Sequence, residues 1–184
     1  MYGHSNKHIV SAMTKQMNKL DFVMFSGLTH EPAIELSEKL MEILPENQAK
    51  IFFNDNGSTA IEAAIKMALQ YYHNHGEKRD TLIAFEDGFH GDTFGAMSAS
   101  GLSSYNGPFE KFLLKVVRIP TPQENNIQEV KSSLAKILQE NKCAAFVFEP
   151  LVQGAAGMKF HSAKGLDELI NLCQENNVLS IADE

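Results

Sequence analysis

Ala144-Ala-Phe-Val-Phe148 runs apolar without a break and ends on Glu149-Pro150. A short apolar run with no alternation marks a strand buried on both faces, the situation of a parallel sheet covered by helices. The flanks fit that reading. Ile127, Val130, Leu134 and Leu138 fall at helical spacing before it, and Leu166 to Cys173 reads as a helix after it. Val178-Leu-Ser-Ile-Ala182 then reads as another buried strand. Upstream, Leu114–Ile119 and Thr81–Phe85 read as strands, Asp92–Ala99 as a short helix, and Thr59–His73 as a long helix ended by Gly76.

Strands that alternate with helices build βαβ units, so the expected class is α/β, a mostly parallel sheet with helices on both faces. Residues 1–49 form a separate helical segment in this reading. Ile9, Val10, Met13, Met17 and Leu20 make a helix after the candidate cap Ser5, and Glu31–Leu44 makes a second, with Pro32 in its first turn. Phe22–Gly27 is an irregular link and Lys50–Phe53 a short apolar run.

Composition narrows the function class. Hydrophobic residues make up 43% of the 184 and charged residues 21%, as in an ordinary globular domain. The net charge is −7 with the cations scattered, which argues against nucleic acid and against an anionic membrane surface. No apolar run reaches transmembrane length, and Met1–Asn6 lacks the basic and apolar regions expected of a signal peptide. Cys143 and Cys173, far apart in core-like segments, argue against a disulfide framework and for a reducing cytoplasm. Ile181-Ala-Asp-Glu184 stops just where a strand hands over to acidic residues, so a longer parent chain is expected.

In open parallel sheets the ligand sits beyond the carboxyl ends of the strands. Four stretches stand there. Asn54-Asp-Asn-Gly-Ser-Thr59 precedes a long helix, whose first amides attract anions, though the same residues make an ordinary cap. Glu86-Asp-Gly-Phe-His-Gly-Asp-Thr93 offers an aromatic ring and a histidine; a glycine-rich turn with Phe89 in the core reads equally well. Glu149 follows five apolar residues and precedes the glycine-rich loop Gln153–Gly157. Asp183 ends Val178–Ala182, where a carboxylate is costly unless paired. Four such stations on one sheet edge point to a cofactor site. No metal-ligand pattern is read.

Phe53–Ala68, Phe89–Met97, Glu149–Met158 and Ala182-Asp-Glu184 together resemble the class III, fold-type I pyridoxal-phosphate (PLP) dependent aminotransferases, over essentially the whole chain. Met24–Ala33 and His90–Met97 look most like the biotin-synthesis branch of that class. Its members move an amino group from S-adenosylmethionine to 8-amino-7-oxononanoate, giving 7,8-diaminononanoate. The resemblance implies a partial fold-type I large domain over residues 50–184, pyridoxal 5'-phosphate as cofactor, and a homodimer for the full protein. It also implies that Gly57 and Ser58 hold the phosphate and that Phe89 stacks on the pyridine ring. His90 and Glu149 then support the ring's surroundings, and Asp183 pairs with the pyridine nitrogen. Many relatives carry Tyr where Phe89 stands. The class's Schiff-base lysine follows the Asp-Glu motif, beyond Glu184, and no lysine of this chain matches it. Ala155 stands where ornithine-type relatives often carry a gating Glu, which argues against the ornithine, acetylornithine and 4-aminobutyrate types. Those types, a lysine amino donor, and a non-catalytic PLP-binding homologue remain the alternatives.

Overall fold

The computed structural model describes residues 2–184, which divide into two compact units, one ending at Phe52 and one spanning Phe53–Glu184. In the first, helix α1 (Lys7–Lys19) is capped by Asn6, whose side chain accepts from the His8 and Ile9 amides. The cap therefore lies one residue later than expected. Ser5 takes a left-handed turn (φ 54), which leaves Asn6 as the residue that closes the helix. Helix α2 (Glu31–Ile43) has Pro32 in its first turn, and the Ala33 amide donates to His30 Nδ1. The apolar positions Val10, Met13 and Met17 of α1 are exposed.

The second unit runs α3 (Gly57–Asn74), β1 (Thr81–Phe85), α4 (Phe94–Ala99), a 3-10 helix (Gly107–Phe112), β2 (Val116–Ile119) and α5 (Ile127–Glu140). It continues with β3 (Cys143–Phe148), β4 (Val152–Gln153), β5 (Lys159–Phe160), α6 (Ala163–Glu175) and β6 (Leu179–Ala182). Lys50–Phe53 forms no strand. Strands β2-β1-β3-β6 make one sheet, every pair parallel, and β4 and β5 pair as a small antiparallel hairpin. The α/β class with helices and a parallel sheet is as expected.

Alternation along the strands sorts side chains onto two faces. Ile83, Phe85, Phe146 and Phe148 pack with α5 and α6 through Val130, Leu134, Leu169 and Cys173. Leu82, Ala84 and Val147 pack with α3 and α4 through Ile61, Ile65, Ala96 and Ala99. The register against β1 slips after Thr81, which faces Cys143 while Leu82 faces Ala145. Ala144 is the extra residue of that bulge, so Ala144 and Ala145 both join the α3 side. The α3 side of the sheet thus carries three alanines, Ala84, Ala144 and Ala145, and the other side three phenylalanines, Phe85, Phe146 and Phe148.

The expectation of a buried strand at Val178–Ala182 needs correction. Val178 is buried, but β6 itself is an edge strand with Leu179, Ser180 and Ala182 exposed. It pairs only with β3 among the described residues, so its apolar content is not matched by cover on both sides. No helix among the described residues is long and apolar enough to cross a membrane.

Candidate active site

The chain leaves β1 toward β2 on one side of the sheet and leaves β3 toward β6 on the other. The two departing loops separate at the β1/β3 boundary, and such a switch point opens a crevice at the strand ends. Hydrogen bonds span it, among them one at its base. The Phe89 amide, in the loop after β1, donates to Glu149 Oε2, just past β3, at 3.1 Å. Glu149 Oε1 accepts from the Gly154 amide at 2.8 Å, so this carboxylate ties three segments together. Leu151, in the left-handed region at φ 65, turns the chain from Pro150 into β4.

The start of α3 lies against the same loop. Asn56 caps the helix by accepting from the Thr59 amide. The amides of Gly57 and Ser58 occupy the first two helical positions, where no intrahelical acceptor exists. No atom lies within 4 Å of where a Cβ on Gly57 would stand, so that end is open to an anion. Gly91 crosses directly over Ser58. At its φ of +124° a Cβ would come 2.2 Å from Ser58 Oγ and 2.9 Å from Ser58 Cα, a position only glycine can take. The Asp92 amide then donates to Ser58 Oγ at 3.3 Å.

His90 sits between these groups. Its side chain is fully buried, and its amide donates to Ser100 Oγ at 2.9 Å. Its Nδ1 lies 2.8 Å from Asp183 Oδ2. A carboxylate only accepts, which puts the shared hydrogen on Nδ1. Asp183 itself is held by its amide, which donates to Phe148 O and extends the β3–β6 ladder by one rung. Its side chain is one quarter exposed, and Oδ1 has no hydrogen-bond partner among the described residues.

Ser58, Phe89, His90, Glu149 and Asp183 thus belong to one contact network, with Gly57 beside it. The Phe89 ring is 47% exposed and so is not a core side chain. It borders a cleft of about 710 Å³, also lined by Glu86, Asp92, Tyr105, Asn106 and Ala155. Among the described residues no group of three or more His, Cys, Asp and Glu is placed to hold a metal ion.

Three contributors escape a sequence reading. Ser100 fixes the His90 backbone from ten residues away. His161 sits 3.0 Å from Glu149 O through Nε2, with its ring edge against Phe85, and burial pushes its pKa below the usual histidine value. Gln153 is completely buried with neither amide atom bonded. Ser100 and His161 carry no spacing signal; Gln153 was visible only as part of a glycine-rich loop.

The whole chain, residues 1–184, matches the family model described as aminotransferase class-III. It is 43% identical to the adenosylmethionine-8-amino-7-oxononanoate aminotransferase of Synechococcus elongatus, across the full chain but only 45% of that relative. The crystal structure of the enzyme of that name from Methanocaldococcus jannaschii superposes with a TM-score of 0.91 at 34% identity, covering 99% of this chain and 42% of that one. An amine transaminase from an uncultivated Pseudomonas species, solved in a PLP-bound form, superposes with a TM-score of 0.86 at 28% identity, covering 99% and 45%. The chain therefore spans less than half the length of the relatives it matches.

Proposed function

This chain belongs to the class III aminotransferases, and on that premise we propose that the whole protein is a PLP-dependent aminotransferase of biotin synthesis. It moves an amino group from S-adenosylmethionine to 8-amino-7-oxononanoate and yields 7,8-diaminononanoate. The names of the Synechococcus and Methanocaldococcus relatives support the reaction, and the PLP-bound Pseudomonas structure supports the cofactor. The observation that carries the reading is the single network joining Ser58, Gly91, His90 and Asp183 at the sheet's switch point.

The residues present fit PLP. The open amides of Gly57 and Ser58 would receive its phosphate, and the half-exposed Phe89 ring would lie on one face of the pyridine. Asp183 Oδ1, unpartnered and within reach of solvent, would accept from the pyridine nitrogen while Oδ2 is held by His90. When bound, PLP supplies an electron sink that stabilises negative charge on the substrate carbon. Asp183 favours a proton on that nitrogen, which deepens the sink. Glu149 holds the Phe89 backbone and so the ring's stacking face. The lysine that joins the cofactor and moves the protons is assigned outside this chain, which we read as the first part of a cytoplasmic homodimer's large domain.

Absorbance of the purified full-length protein tests this. A cofactor band that shifts on adding S-adenosylmethionine supports the reading. A cofactor band that shifts instead with lysine or simple amines favours a different donor or another ω-aminotransferase of the class. A protein that takes up no PLP overturns it.

A further inference from the structure

We propose that Gln153 is a positioning residue for this site: its side-chain amide donates to His90 Nε2 and so keeps the ring hydrogen on Nδ1, facing Asp183. The proposal rests on reading Asp183 as the anchor of the pyridine nitrogen. His90 Nε2 is buried and unpartnered among the described residues, and so are both Gln153 amide atoms. Buried polar groups without partners are rare and costly, and two complementary ones that both border Gly88 call for an explanation. With its hydrogen on Nδ1, His90 presents a lone pair at Nε2, and Gln153 Nε2 carries the donor that this lone pair lacks.

Gly88 leaves the room in which they would meet. Both nitrogens lie within 3.6 Å of the one point where a Cβ on Gly88 would stand, and His90 Nε2 is 3.0 Å from it. A side chain there would wedge between ring and amide. The backbone of Gln153 is pinned by its pairing with Lys159 in the hairpin, and the next residue, Gly154, donates to Glu149. In the proposal, the Gln153 side chain turns past Gly88, which carries no Cβ, to close the contact. The resulting chain runs from Gln153 to His90 to Asp183 Oδ2. It leaves Asp183 Oδ1 for the cofactor and fixes the ring that holds Oδ2.

Nitrogen NMR of ring-labelled histidine in the full-length protein, with and without PLP, tests this, with His90 assigned by loss of its signals in His90→Asn. The expected wild-type signal is an Nδ1–H imidazole whose Nε2 is shifted by an accepted hydrogen bond. Gln153→Met, of similar length but without a donor, should abolish that shift. Gln153→Leu, likewise without a donor, should do the same. In the active enzyme Gln153→Met should lower kcat about tenfold with KM little changed. Identical His90 nitrogen signals in wild type and whichever variants fold overturn the proposal. The NMR readout needs no cofactor, so it is independent of the proposed function. A PLP-free protein with the expected signals removes only the function, and an active yellow protein with unchanged signals removes only the role of Gln153.

Discussion

Gly91 crosses Ser58 so closely that a single added carbon would lie 2.2 Å from the serine hydroxyl oxygen. This contact docks the loop after β1 onto the start of α3, and with it the candidate ring face onto the candidate phosphate end. Gly91→Ala combines a backbone conformation costing about 1–3 kcal/mol with a steric overlap against backbone as well as side chain. It is expected to destabilise the full-length protein by at least about 2 kcal/mol in denaturant titrations and to weaken PLP retention on dialysis. Stability and retention equal to wild type would mean that the loop is not fixed by this contact.

Asp183→Asn keeps the size of the side chain but removes its charge. In the complete enzyme the rate of amino transfer is expected to fall more than about a hundredfold, or roughly 2.7 kcal/mol in barrier, with the fold intact by circular dichroism. A near-normal rate would remove Asp183 from its assigned place.

Glu149→Gln retains one acceptor oxygen but turns an NH2 group toward either the Phe89 or the Gly154 amide. Losing one charge-assisted hydrogen bond and opposing two donors is expected to cost about 1–3 kcal/mol. The loosened Phe89 ring should raise the KM for added PLP, measured by reconstituting apoenzyme.

His161 supplies a pH dependence. Burial lowers its pKa in the folded state, and the unfolded chain holds the ordinary value near 6.5. The unfolded state therefore binds more protons just below pH 6.5, so stability is full above that value and declines as pH falls through the folded pKa. Replacing His161 with Gln, which still donates to Glu149 O, should flatten the decline between pH 7 and 5 in thermal melts. An unchanged acid slope would assign the loss to other groups.

The two thiols should be inert. Burial raises the pKa of Cys143, and that of Cys173 goes to about 12, so at pH 8 only on the order of one Cys173 in ten thousand is a thiolate. Iodoacetamide at pH 8 should label neither thiol in the native protein and both after denaturation, read by intact mass.

The parallel strands were legible because Ala144–Phe148 and Thr81–Phe85 are too apolar to face water on either side. Sheet order was not legible. Nothing in the residues of β3 says that it lies beside β1, and that adjacency alone brings Phe89 to Glu149. The same blindness made β6 read as buried: apolar letters report what a strand would bury, not how many neighbours cover it. Strands β4 and β5 are two residues each, too short for any periodicity, so the hairpin that pins Gln153 went unseen. Gln153 is also polar, and composition assigns such a residue to the surface. Of the site, Asp183 and Glu149 stood out because each ends an apolar run, and the Phe89-His90 pair because glycines bracket it just past one. Their partners Ser100 and His161 lie in stretches with no such mark.

The alanine face of the sheet has a reach beyond packing. Separation between a helix and a sheet follows the size of the side chains between them. Ala84, Ala144 and Ala145 under Ile61 and Ile65 therefore act as a gauge block that sets how high α3 rides. The first turn of that helix carries Ser58, while Asp183 is fixed to the sheet itself. The spacing from the proposed phosphate end to the proposed nitrogen anchor is thus calibrated in the interior, by methyl groups.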